Sequence, residues 1–231
     1  MLELDSIHRC VDGGSPDNKE SLKSKDVIGW LRSKEVAFYD SLTDYAKFYG
    51  YGFDYRLPTI DERATSVSSS LRDTLNGGGY CGLASGVIEH VLREKYKEKI
   101  DVCSMHVSTF SRDTHNTTQF VHGSVAGHYF VLFRVDGEEK GFYVDPTYRQ
   151  FLQKIRPDRM MIIGSEDAIP KMYSYDELYK DAKKTNIKLA ESYQPYKEKP
   201  DKLYHYYYKY NEKKGSENLI LFCNLVNSLK D

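Results

Sequence analysis

GHYFVLFRVDGEEKGFYVDPTYRQF, residues 127–151, reads as a β-hairpin. Two runs rich in Phe, Tyr and Val flank Asp136-Gly137, and Asp-Gly is a strong two-residue hairpin signal because both turn positions of a type I′ turn need positive φ. That turn sets Val135 opposite Glu138 and, counting outward, His128 opposite Asp145. The pair closing a two-residue loop shares hydrogen bonds and alternate pairs do not. His128 and Asp145 fall in the second class, where side chains sit closer. The expectation is an imidazole and a carboxylate meeting on one face near the open end of the hairpin. A carboxylate there fixes the ring's tautomer and stabilises the imidazolium.

Working upstream, Leu83, Ala84, Val87, Ile88, Val91 and Leu92 recur with a period near 3.6 and predict a wide-striped, buried helix. Cys81 stands in its first turn, after Gly77-Gly78-Gly79. The N–H groups and partial positive charge of a helix start favour a thiolate, and a nearby His favours it further. Glycines at 77, 78, 79 and 82 leave room for a substrate backbone and for N–H groups to converge on an oxyanion. The Cys81 N–H is the first candidate donor and the Asn76 side chain a weaker one. Most free cysteines are simply small buried hydrophobes, but Cys81 lies at the helix start rather than in the apolar stripe. A strand-end Asp before Pro146 also has a structural reading, as the cap of a turn.

His122, His115 and His106 compete with His128, but no pattern supplies His122, six residues before it, with a carboxylate; His90 falls mid-helix and reads as structural. A zinc site drawn from Cys103, His106, His115, His122 or His128 matches no recognised finger or ribbon spacing, and Cys103 and His106 point to opposite faces of a strand. No metal and no cofactor are expected.

Outward from this centre, residues 1–20 read as a loose polar lead-in and residues 21–49 as one or two helices carrying Val27, Ile28, Leu31, Phe38, Leu42, Tyr45 and Phe48. Thr59-Ile60-Asp61-Glu62 and Ser174-Tyr175-Asp176-Glu177 have capping-box form, the second opening a helix to about Tyr193. Residues 101–110 alternate as a strand, 111–126 as a long loop, and Arg159–Ile163 as a further strand. Leu219, Ile220, Cys223, Val226 and Leu229 suit a closing helix. The order predicts an α+β fold: a Cys-led buried helix on an antiparallel sheet. The division is a lead-in (1–20) and a single catalytic domain (21–231), with core 59–165 and helical flanks 21–58 and 166–231.

The 33 Lys and Arg against 34 Asp and Glu leave a net charge of -1 with no long basic block, which argues against nucleic acid as partner. The Lys/Tyr run Lys202–Lys214 reads as a solvated, half-buried element, with residues 202–210 ambiguous between helix and strand. No apolar run nears the ~18 residues of a membrane span. The first residues lack the basic start and apolar centre of a cleavable export signal. The four cysteines, Cys10, Cys81, Cys103 and Cys223, have no framework spacing and read as thiols in a reducing cytosol.

GYCGLA at 79–84, GHYF at 127–130 and YVDPTYRQF at 143–151 resemble the Cys-His-Asp core of the papain-like and transglutaminase-like superfamily. They are most similar to its bacterial toxin and effector branch, the protein-glutamine deamidases of the dermonecrotic-toxin type. The motifs cover about a third of the chain, and Asp-Pro-Thr, an aromatic, then Gln-Phe is what points to the deamidase branch. The resemblance implies Cys81 as nucleophile, His128 as general base and acid, and Asp145 as the orienting carboxylate. Tyr148 and Gln150 belong to the motif and read as packing and turn residues. It also implies a host-protein substrate and delivery into a host cell by a specialised secretion route. The same three residues would serve a cysteine protease or a transglutaminase, and acyl transfer from a small thioester is chemically allowed. The fold could also be an idle protein-binding module, a role that Tyr-rich surfaces suit.

Overall fold

The computed structural model describes residues 21–49, 80–110, 112–113, 125–148, 161–172, 187–188 and 195–230. The lead-in, the Thr59 capping box, Asn76, Gly77–Gly79, His115, His122, Gln150, Cys10 and the start of the Ser174 helix lie outside them.

Residues 21–49 form one helix, α1 (Ser24–Phe48). Val27, Leu31, Phe38, Leu42, Tyr45 and Ala46 put its apolar face in the core, whereas Phe48 is 42% exposed. Asp26 accepts the Lys23 N–H at 2.9 Å, and the Ser24 N–H goes to Glu138 Oε1 at 3.2 Å. Two carboxylates thus satisfy the positive end of the helix. The Cys-led helix, α2 (Cys81–Tyr96), is buried on every side from Cys81 to Glu89. Such a helix belongs at the centre of a domain.

Among the described residues seven strands follow: β1 (Ile100–Phe110), β2 (Arg112–Asp113), β3 (Val125–Val135), β4 (Phe142–Asp145), β5 (Ile162–Ser165), β6 (Ile187–Lys188) and β7 (Pro195–Lys197). Five make an antiparallel sheet in the order β5-β4-β3-β1-β7, while β2 and β6 pair separately. The long β1–β3 ladder, from Ile100↔Val135 to Phe110↔Val125, is its spine. Helices α3 (Lys202–Lys214) and α4 (Ser216–Asn227) close the chain.

The principal core draws side chains from Val27 through Leu229, so both helical flanks share one interior with α2 and the sheet. A smaller cluster of Val107, Phe130, Tyr143, Tyr148 and Ile169 fills the opposite face of the sheet. The α+β class is as expected; the hairpin register, two element boundaries and the buried face of α4 are not. The β3–β4 ladder pairs Val131 with Val144, two residues away from the expected register. Gly137 alone takes positive φ (+79°) at the bend, because Asp136 keeps ordinary φ and gives its N–H to Lys99 O at 2.9 Å. The turn closes with Glu138 N–H to Val135 O at 3.0 Å, but the ladder resumes only at Phe142, since Glu138 turns away to cap α1. A shift of two keeps every side chain on its face, which is why the sequence pattern tolerates it.

The helix expected to reach Tyr193 does not include Ile187–Lys188, which pair with Arg112–Asp113 inside the expected loop. The strand placed at 159–163 is found at Ile162–Ser165. In α4 the buried stripe is Phe222, Leu225, Val226 and, just beyond, Leu229, leaving Ile220 59% exposed.

The two glycines of α2 explain how α3 lies against it. A Cβ on Gly86 would come within 2.7 Å of Leu203 Cβ and 2.8 Å of the Tyr204 nitrogen. Much of the obstacle is backbone, so it cannot rotate aside. Gly86→Ala is therefore expected to force α2 and α3 apart and lower stability by about 1–3 kcal/mol through overpacking. That outweighs the ~1 kcal/mol gained in helix propensity. Thermal unfolding measures it as a lowered midpoint.

Candidate active site

Cys81 is the first residue of α2, preceded by Tyr80, which supplies no side-chain cap. The opening turn of a helix presents its N–H groups outward rather than to a helical carbonyl. The residue is buried, 8% exposed. Its side chain is hydrogen-bonded to His128.

His128 comes from β3 and Asp145 from the last position of β4, both buried. The ring Nε2 lies 2.6 Å from Asp145 Oδ2. In the observed register Asp145 is diagonal to His128, not opposite, yet on the same face, a separation a ring and a carboxylate can span. With Nε2 held by the carboxylate, Nδ1 is the ring nitrogen left for the sulfur. The second carboxylate oxygen accepts the Thr147 N–H at 2.9 Å. Asp145 is therefore both the cap of the Asp145-Pro146-Thr147 turn and the partner of the ring. Tyr39 of α1 donates its hydroxyl to Pro146 O, fixing that turn from the helical side. Tyr148 is buried in the smaller cluster, packing as expected of it.

Burial alone pulls the His128 ring below its ordinary pKa. The Asp145 charge and hydrogen bond, followed by the Cys81 hydrogen bond and charge, outweigh burial and raise it to about 10. At neutral pH the ring is protonated, with one N–H toward Asp145 and the other available to the sulfur. Tyr143, on the same face, has its hydroxyl pushed up to about 12 by burial and by the Asp145 charge.

α3 brings a residue that the sequence reading missed. A Cβ on Gly82 would meet the Tyr207 hydroxyl at 2.9 Å, so the space that Gly82 leaves is taken by this ring rather than left for a substrate backbone. The signal was present as Gly82 and Gly86, one turn apart on the Cys81 helix, a spacing that admits a close neighbour. The run of Tyr residues at 204, 206, 207, 208 and 210 obscured which face of α3 is turned inward. The start of α3 is tied to α2 by buried Glu89, which accepts N–H groups from Asp201 at 3.1 Å and Ser104 at 3.0 Å. Glu89 also accepts from the Ser104 hydroxyl at 2.6 Å and from Arg93 at 3.2 Å.

Of the other histidines, His90 stacks on Tyr204 with centroids 3.6 Å apart and faces Asp201 at 3.4 Å, a structural arrangement. His106 lies against Tyr129, and burial pulls its pKa down. Among the described residues no group of three or more His, Cys, Asp or Glu could hold a metal ion, and no helix is long and apolar enough to cross a membrane. Comparison of the chain with protein-family models, with curated proteins and with solved structures finds no match.

Proposed function

We propose that this chain is a cysteine hydrolase with a papain-like or transglutaminase-like core that deamidates a glutamine side chain of a protein. The observation that carries the reading is the linear set Cys81, His128, Asp145: a thiol in the opening turn of a helix, hydrogen-bonded to an imidazole whose Nε2 is 2.6 Å from a fully buried carboxylate. The Cys81 thiolate attacks the carboxamide carbon. His128 protonates the nitrogen, ammonia departs and a thioester remains. His128, now neutral, takes a proton from water, and hydroxide attack releases glutamate and the thiolate. Asp145 keeps the ring oriented and stabilises its charge throughout. The Asp-Pro-Thr, aromatic, Gln-Phe motif at 145–151, the part of the resemblance that points to the deamidase branch, is what favours deamidation over peptide cleavage by the same three residues. The likeness of the three motifs to effector deamidases supports a target in a host cytosol, reached through a specialised secretion route.

The test is peptide mapping of a eukaryotic lysate incubated with wild-type protein or with Cys81→Ala. The expected result is a Gln-to-Glu change of about one mass unit, with ammonia released, in one or few proteins and only with the wild type. New chain termini would mark a protease, amine adducts a transglutaminase. No change dependent on Cys81 would refute the proposed chemistry.

A further inference from the structure

Attack on a carboxamide puts negative charge on its oxygen, and one donor, the Cys81 N–H, rarely suffices; such sites gather two. We propose that the Tyr207 hydroxyl is the second donor to that oxyanion. The inference rests on the reading of Cys81 as nucleophile and adds a catalytic residue to it from α3, outside the resembling motifs.

The first ground is position. The ring meets Gly82, the residue after the nucleophile, with its hydroxyl foremost: a Cβ there would be 2.9 Å from the oxygen, 3.3 Å from Cε2 and 3.5 Å from Cζ. The polar end of Tyr207 therefore lies at the same helical turn as the Cys81 N–H. The second ground is rigidity. Asn211 Nδ2 donates to Tyr207 O at 2.7 Å, while Asn211 Oδ1 accepts from Tyr45 at 2.8 Å and Tyr49 at 3.1 Å, so α1 pins the backbone that carries the ring. Glu89 and the Gly86 contact fix the preceding turn. A donor held before the reaction needs no reorganisation when charge develops. The third ground is chemistry. Burial, then the charge of Cys81, push the Tyr207 hydroxyl well above its ordinary pKa, so it stays protonated and donates.

The step balances without a co-reactant. The S–C bond forms, the carbonyl π pair moves to oxygen, and Tyr207 O–H and Cys81 N–H hydrogen-bond to it without transferring a proton. Collapse restores the carbonyl as the C–N bond breaks and His128 protonates the leaving nitrogen.

Two small reagents separate this role from a packing role without a protein substrate. Acylation by p-nitrophenyl acetate passes through an oxyanion; alkylation by iodoacetamide does not. The difference between wild type and Cys81→Ala isolates the Cys81 reaction in each case. Tyr207→Phe is expected to slow the Cys81-dependent nitrophenolate burst about 10²-fold and leave iodoacetamide alkylation of Cys81 unchanged. Equal losses with both reagents, no loss, or faster reaction with both would overturn the proposal, the last by making the ring a cover over the sulfur. A wild-type protein with no Cys81-dependent burst would instead bring down the nucleophile assignment, and this inference with it.

Discussion

Cys81→Ala is expected to remove turnover, by roughly 10⁴-fold or more, and to leave the fold standing. The first half follows from chemistry: without the sulfur no thioester forms, and the remaining hydrogen-bond donors act on water alone. The second half follows from packing. Cys81 is a small side chain at the tip of α2, outside the stripe of Leu83, Ala84, Val87, Ile88, Val91 and Leu92 that holds the helix on the sheet. Its loss should cost about 1 kcal/mol, near the middle of what single substitutions cost. Circular dichroism and thermal unfolding check the fold; ammonia release on the mapped target checks activity. A Cys81→Ala protein that still deamidates would end the nucleophile assignment.

Asp145→Asn should be nearly as damaging to activity and more informative about charge. In the wild type, the folded-state pKa of His128 is raised to about 10, above the ordinary 6.5 of the unfolded chain. The folded protein then holds a proton that the unfolded chain has lost. This contribution to stability is complete below pH ~6.5 and disappears as pH rises through ~10. Asparagine removes the charge that opposes burial. Burial, the largest single influence on the ring, is then opposed only by the Cys81 hydrogen bond and charge, so the folded-state pKa falls and the stabilisation gained on acidification shrinks. The measurement is urea unfolding of both proteins from pH 5 to 10. The stability advantage of wild type over Asp145→Asn should be greatest at the acidic end and shrink toward pH 10. A constant difference would mean that the ring and carboxylate are not coupled. Activity should drop by roughly 10²–10⁴-fold, because an asparagine can hold the ring in the wrong tautomer and cannot stabilise the imidazolium.

Much of this site could be read from residue order alone because two strong periodicities carry it. Period 3.6 in residues 83–92 marks a helix buried on nearly all sides, so Cys81 falls at its start whatever the surrounding fold. The alternation of side chains along any strand, counted outward from the Asp136-Gly137 bend, puts His128 and Asp145 on one face. The turn chemistry at Asp136-Gly137 was less decisive. It placed the bend, but Glu138 leaves the ladder to cap α1 from more than a hundred residues away in sequence, and the register moved by two. The contact survived because an even shift changes which residues are opposite, not which share a face.

What was illegible depends on tertiary partners. Tyr207 is one of five tyrosines between 204 and 210, so residue type alone does not single out the ring that meets α2; the space left by Gly82 does. Asn211 is fully buried and looks like a surface residue until Tyr45 and Tyr49 are seen donating to it. β6 and β7 are too short for alternation to register. In α4, Ile220 and Leu219 are as apolar as Phe222 and Leu225, and only packing against α1 and α3 decides which pair faces inward.

The claim on which the rest depends is that the His128–Asp145 pair makes Cys81 a nucleophile. Its most direct measurement is the rate at which iodoacetamide labels each cysteine of the native protein at pH 6, resolved by peptide mass. Burial pushes the Cys103 thiol up to about 11 and leaves it an inert reference. Cys81 should be labelled at least about tenfold faster than Cys103, and His128→Gln should abolish that difference. Equal, slow labelling of both thiols, or fast labelling of Cys81 that persists without the imidazole, would contradict the account.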